Sequence, residues 1–178
     1  LDERLLDLVE NYIGLPVQYH GASVRREVAD GRATDVRQWH LDPEDSRMLK
    51  IIVYLGGDVG DGGGAFEYLD GAATRRAVRA LRYVSGFVDD ARMRRVVPES
   101  EWRRATGAAY TANLADTCAV FHRAGPPVNA DRYTVTYSWT SRRPRKTYGA
   151  MPMSESEYRA VTVVLSPRQR ACVPPRIE

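Results

Sequence analysis

The stretch Asp131–Ser141, DRYTVTYSWTS, decides the fold class. Tyr133, Val135, Tyr137 and Trp139 alternate with Thr134, Thr136 and Ser138. That period of two puts the large side chains on one face of a β-strand and the hydroxyls on the other. Working outward, RMLKIIVYLG (47–56) is rich in Ile, Val and Tyr, as a buried strand should be. It runs into GDVGDGGG (57–64), where Asp-Gly marks a turn, and then AFEYL (65–69), a further strand. Upstream, LPVQYHGASVRREVAD (15–30) alternates loosely and DVRQWHL (35–41) also reads as a strand.

The period changes between residues 71 and 107. Val78, Leu81 and Val84 recur at helical spacing among arginines, and PESEWRRA (98–105) reads as a short helix opened by Pro98. The start, LDERLLDLVENYIG, is an acidic amphipathic helix, and Ser154 with Glu157 forms a capping box before YRAVTVVL. Strands on both sides of a helical segment, without βαβ alternation, argue for a mainly β fold. The expected architecture is a two-sheet jelly roll with peripheral helices and a helical insert at about 71–107, one domain over residues 1–178. GDVGDGGG leads into a strand rather than a helix, which argues against a phosphate loop.

The chain's 178 residues can bury a core without disulfides, and 43% hydrophobic with 28% charged residues is ordinary globular composition. Cys118 and Cys172 give no framework and read as reduced thiols, hence a cytoplasmic protein. The chain opens on Leu1 rather than Met, so further residues are expected to precede it. No basic leader precedes an apolar core, and no apolar run approaches the ~20 residues of a bilayer span, so no membrane partner is expected. Net charge is +3 and Lys50 and Lys146 are the only lysines, the mark of a GC-rich genome. The arginines are scattered among 23 acidic residues rather than striped, which argues against a nucleic-acid partner.

QWHLDPED (38–45) carries the chemistry. His40 and Asp42 stand at i and i+2, so on a strand an imidazole and a carboxylate converge on one ion. A third ligand must come from elsewhere, and His20 and His122 are the remaining histidines. Two histidines and one carboxylate leave three coordination positions open, the arrangement of non-haem Fe(II) oxygenases, whereas zinc more often takes a closed set of nitrogen and sulfur ligands. Arg132 and Thr134 share a face by the same i, i+2 rule, and an arginine fork with a hydroxyl can hold a carboxylate. A small dicarboxylic acid can then chelate iron at one end and meet Arg132 at the other. Lys50 points opposite Ile51, toward solvent or a neighbouring carboxylate, while Trp39 and Trp102 read equally as core or pocket wall.

WHLD (39–42), KIIVYLGGDVGDGGGAFEYL (50–69), DTCAVFHRAGPP (116–127) and DRYTVTYSW (131–139) together resemble the Fe(II)/2-oxoglutarate-dependent dioxygenases, specifically the phytanoyl-CoA dioxygenase-like branch. The resemblance covers roughly residues 34–70 and 110–142 and implies a double-stranded β-helix, the cupin-like variant of the jelly roll. It implies that His40, Asp42 and His122 bind Fe(II), and that Arg132, assisted by Thr134, pairs with the distal carboxylate of 2-oxoglutarate, with Tyr54 a further cosubstrate contact. The implied reaction consumes O2 and decarboxylates 2-oxoglutarate to succinate while oxidising, most simply hydroxylating, a small organic substrate in natural-product tailoring. Gln18 and His20 share a face of the first strand, from which either can reach cosubstrate or substrate. The chain is short for this branch, and Asp42 stands where halogenating relatives carry a small residue, which disfavours halogenation. Two other readings compete: a cupin-like metalloenzyme that does not use 2-oxoglutarate, and a catalytically silent β-sandwich binding module.

Overall fold

The computed structural model describes residues 2–146 and 153–175. Helix α1 (Glu3–Ile13) is capped by the Asp2 side chain, which accepts from the Arg4 amide, and ends at Gly14 in the left-handed region (φ 78°). Four antiparallel strands form the larger sheet: β1 (Val17–Glu27), β2 (Leu49–Tyr54), β5 (Ala112–Asp116) and β7 (Arg132–Ser141), in the order β1-β7-β2-β5. The smaller sheet orders β4 (Arg103–Ala105), β3 (Phe66–Tyr68) and β6 (His122–Ala124) as β4-β3-β6. Beyond β6 it is extended by a bridge between His122 and His40, and then by one between Trp39 and Val88. Helices α2 (Gly71–Leu81), α3 (Asp90–Arg94), α4 (Glu155–Thr162) and α5 (Pro167–Cys172) complete the chain. This is the expected jelly roll with peripheral helices.

The alternation of β7 resolves in an informative way. Tyr137 and Trp139 face outward and pack with Leu6, Val9 and Ile13 of α1. Thr134, Thr136 and Ser138 face inward and line a cavity between the sheets. A second cluster lies on the outer side of the smaller sheet, where Trp39, Leu69, Phe121 and Met93 pack under α2 and α3. The largest apolar layers that drive folding therefore flank the space between the sheets, where hydroxyls and charged groups share the lining with Ile52, Tyr54 and Phe66. Tyr54 laces the two sheets together: its hydroxyl accepts from the Phe66 amide (3.0 Å) and donates to the Ala105 carbonyl (2.6 Å). In β1 the register shifts between Tyr19, opposite Trp139, and Ala22, opposite Tyr137, with Gly21 at φ 89°. This bulge lets Tyr19 join the α1 cluster while Ser23 and Arg25 line the cavity.

Several local expectations change. DVRQWHL is not a regular strand: Asp35–Arg37 is a 3-10 turn, and only Trp39 and His40 bridge to neighbours. The reason is Arg37, whose buried guanidinium is drawn to Glu27 (2.7 Å), Asp30 (2.6 Å) and the Val28 carbonyl (2.9 Å), curling the chain. The stripe Val78–Leu81–Val84 does not continue to Val84, which lies past the left-handed cap at Arg82 and is 91% exposed. The buried face of α2 is instead Ala73, Thr74 and Ala77. PESEWRRA gives only a 3-10 turn at Glu99–Glu101 and then β4, because pairing with β3 captures its end. The capping box at Ser154 and Glu157 is present at α4.

Segment 71–107 is tied to the smaller sheet through Arg123 of β6. Its guanidinium pairs with buried Glu67 (2.6 Å) and with Asp90, and lies over the rings of Trp39 (4.8 Å) and Trp102 (5.2 Å). Removing one partner of a buried ion pair costs about 3–5 kcal/mol. Arg123→Ala is therefore expected to lower the melting temperature by roughly 10 °C, given about 2–4 °C per kcal/mol at this chain length. Val84→Ser, at an exposed position with no such partners, is expected to leave the same melt unchanged within about 0.5 kcal/mol.

Candidate metal centre and cavity

The His40 amide donates to the His122 carbonyl and the His122 amide to the His40 carbonyl, both at 3.0 Å. Two residues that exchange both bonds in an antiparallel pair lie directly opposite, with side chains on one face. Their ring centroids are 4.3 Å apart. Nδ1 of His40 lies 2.8 Å from the Gln38 carbonyl, and Nδ1 of His122 3.1 Å from that of Val120. A carbonyl only accepts, so each Nδ1 carries the proton and each Nε2 presents a lone pair to the cavity. Regular pairing stops at His40, and Asp42 is held instead by its amide, which donates to the Thr117 carbonyl (2.9 Å). Its Oδ1 stands 3.6 Å from Nε2 of His40 and 3.7 Å from Nε2 of His122. One ligand atom from each of the three residues lies within 4.8 Å of the others, a triangle that one cation can cap.

The segment carrying His40 and Asp42 is gripped from its other side by residues 83–90. Trp39 exchanges main-chain bonds with Val88 (2.9 and 2.8 Å), and its indole donates to Asp90 (3.1 Å). The Leu41 amide donates to the Tyr83 hydroxyl (3.2 Å), which donates onward to the Gly86 carbonyl (2.7 Å). The Phe87 ring stands edge-on to His40 at 5.2 Å. The sequence offers no motif that ties these residues to the His40 segment beyond the aromatic spacing Tyr83–Phe87.

Burial pushes both imidazoles down, that of His122 to about 3, so both are neutral donors near neutral pH. Burial is the largest influence on the Asp42 carboxyl and pushes it up, but the Lys50 ammonium on its Oδ2, with further contributions from His122 and Thr117, holds it below the usual range. Lys50 thus meets a neighbouring carboxylate, and that carboxylate belongs to the site.

The cavity, about 310 Å³, runs from the triad to Arg132. His20, Tyr54, Thr134 and Arg132 all line it, whereas Gln18, opposite Thr140, does not. His20 is not part of the ligand cluster: its Nε2 lies 2.6 Å from Thr140 Oγ1. Arg132 is only 6% exposed, yet its Nε and Nη1 have no hydrogen-bond partner among the described residues. A buried guanidinium with unspent donors is costly unless an anion completes it. The chemistry of the donor set fits two groups: neutral imidazole nitrogens with a carboxylate oxygen for a divalent metal, and free N–H groups for an acid.

No protein-family model matches the chain, and no curated protein matches it. Among solved structures it resembles HygX from Streptomyces hygroscopicus, a structure with nickel and 2-oxoglutarate bound, at 14% identity and a TM-score of 0.54, over 89% of this chain and 71% of that one. It also resembles ThoJ, described as a non-heme monooxygenase, at 16% identity and a TM-score of 0.55, over 98% and 63%. A third is AviO1 from Streptomyces viridochromogenes, at 16% identity and a TM-score of 0.56, over 83% and 61%. These likenesses establish a shared fold, and the chain spans under two thirds of ThoJ and AviO1. Among the described residues no helix is long and apolar enough to cross a membrane.

Two outcomes are expected. Wild-type protein should take up one equivalent of Co(II) with visible ligand-field bands, and His40→Ala, Asp42→Ala or His122→Ala should each abolish them, while His20→Ala should not. His20 also predicts a pH effect. Burial lowers its pKa from 6.5 to about 4. The unfolded imidazole gains its proton first as pH falls, so the contribution is complete above pH 6.5 and lost toward pH 4. In metal-free protein, His20→Gln should therefore shrink the stability lost between about pH 7.5 and about pH 5, read by urea unfolding.

Proposed function

We propose that this chain is a non-haem Fe(II) oxygenase that couples oxidative decarboxylation of 2-oxoglutarate to oxidation of a small organic substrate. Hydroxylation is the simplest outcome, natural-product tailoring the setting, and the phytanoyl-CoA dioxygenase-like branch the affiliation. The observation that carries this reading is the pairing, in one cavity, of the His40–Asp42–His122 cluster with the unspent guanidinium of Arg132. A metal site alone fits many metalloenzymes, but a buried cation kept free at the far end of the same cavity fits a cosubstrate with a second carboxylate. Solved relatives in fold include a structure with iron bound and another with 2-oxoglutarate bound, which agrees with this reading.

Nε2 of His40, Nε2 of His122 and Oδ1 of Asp42 would hold the iron, leaving three positions for cosubstrate and O2. Iron there would supply the one-electron and O2 chemistry that side chains lack. The chain's own work is positional. Nδ1 contacts to Gln38 and Val120 keep both lone pairs aimed inward. Arg132 orients the distal carboxylate, and Thr134 beside it offers a hydroxyl. Tyr54 contributes its ring to the wall, since its hydroxyl is shared between Phe66 and Ala105. His20 and the hydroxyls of Ser23, Thr136 and Ser138 leave a polar wall for substrate. Gln18 is outside that lining. Free Cys118 and Cys172 agree with a reducing, cytoplasmic setting, and no nucleic acid or membrane is invoked.

The test is 2-oxoglutarate turnover. Purified protein with Fe(II) and O2 should release succinate, more strongly when the right substrate is present. Arg132→Met should weaken 2-oxoglutarate by on the order of 100-fold or more, since two charge-assisted bonds at about 1.5–3 kcal/mol each are lost, and should leave iron binding intact. Retained metal with no response to 2-oxoglutarate in the wild type would instead favour a cupin-like metalloenzyme that needs no 2-oxo acid.

A further inference from the structure

The Asp42 carboxylate is divided between two claims. Oδ1 faces the two imidazole nitrogens at 3.6 and 3.7 Å, and Oδ2 accepts from the Lys50 ammonium. Lys50 comes from β2 at the centre of the larger sheet, opposite Ser138 of β7 and Ala115 of β5. Its side chain is 18% exposed and crosses the cavity to a carboxylate that is itself 10% exposed. A lysine on a central strand that reaches across to a ligand carboxylate has a specific consequence. A buried carboxylate without a counter-charge is strongly unfavourable, so Lys50 is what makes the metal-free site tolerable. Once a divalent cation sits at Oδ1, the same ammonium repels it across a single carboxylate.

We propose that Lys50 is a positioning residue that serves as the counter-ion of the metal-free site, so that metal loading exchanges one neutralising cation for another. The proposal rests on the metal-site reading above and not on 2-oxoglutarate. Two consequences have opposite signs. Without Lys50 the metal-free protein loses stability. Metal binding meanwhile becomes tighter: even at the dielectric of water, a unit charge about 5 Å from a dication is worth about tenfold in Kd. A group that only packs the sheet would lower metal-free and metal-bound stability together, and one that only aims the carboxylate would weaken the metal when removed.

The experiment measures thermal melts of wild type, Lys50→Met, Lys50→Gln and Lys50→Arg, without metal and with saturating Co(II), alongside Co(II) titrations read by the ligand-field bands. The expected result for Lys50→Met and Lys50→Gln is a lower metal-free melting temperature, a larger Co(II)-induced rise and about tenfold tighter Co(II) binding. Lys50→Arg should keep the wild-type pattern. Should Lys50→Met be unfolded without metal, recovery of the fold on Co(II) addition supports the exchange, and failure to recover overturns it. An equal or smaller Co(II)-induced rise in the Met and Gln variants also overturns it, with the metal site left standing. A wild type indifferent to Co(II), and unchanged by His122→Ala, overturns the metal site itself and the exchange with it.

Discussion

One antiparallel pair, His40 against His122, is the constraint on which the rest of the molecule depends. Its two hydrogen bonds join a short segment near the start of the chain to β6, and pairing of that type forces both imidazoles onto one face. A one-residue slip of either segment would turn Leu41 or Phe121 into the cavity and its imidazole onto the outer, apolar face. The register is held from both sides. Arg123, the neighbour of His122, lies across Trp39, the neighbour of His40, while Val88 closes the far edge of Trp39. Large side chains on the outer face thereby fix the small displacements allowed to ligands on the inner one.

That arrangement explains how a jelly roll keeps charged and hydroxyl groups in its interior. Sheets packed face to face usually fill the space between them with apolar side chains. Here the apolar burial is moved outward, to Trp139 under α1 and to Phe121 and Leu69 under α2 and α3. What remains between the sheets mixes threonines, serines, the His40–Asp42–His122 cluster and Arg132 with apolar side chains such as Ile52 and Phe66. Stability and chemistry thus occupy opposite faces of the same strands, and each strand's alternation serves both at once.

This division also sets what the sequence could reveal. The period of two in β7, the Ile/Val run of β2 and the capping box of α4 are local patterns that folding leaves in place. The i, i+2 spacing of His40 and Asp42 was legible as a shared side, and the structure brings His122 to it. What was not legible are contacts that no repeating pattern announces, whether nearby in the chain or distant. Residues 35–37 read as strand because nothing local reveals that Arg37 will be captured by Glu27 and Asp30. Segment 71–107 reads as a helical insert and does carry α2 and α3, but its grip on Trp39 and Leu41 depends on Tyr83, Val88 and Asp90, which no pattern in the sequence announces. Lys50 had two readings, and only the folded register chose between them.

Two of the three cations that line the cavity make the last step. Lys50 and Arg132 both face inward from adjacent strands of the larger sheet, yet only one is neutralised by its surroundings. Lys50 has Asp42. Arg132 stands opposite Glu27 in the β1–β7 register, and a paired Glu27 would silence it. Glu27 is instead claimed by Arg37 at 2.7 Å, and Arg37 is itself anchored by Asp30 and two carbonyls. The curl that breaks the expected strand at residues 35–37 therefore draws off the nearest acid, and Nε and Nη1 of Arg132 stay without a hydrogen-bond partner among the described residues. Burial disfavours its charge, which raises the gain when an anion arrives. A local irregularity in one strand and the unpaired state of a buried guanidinium in another are thus the same physical event.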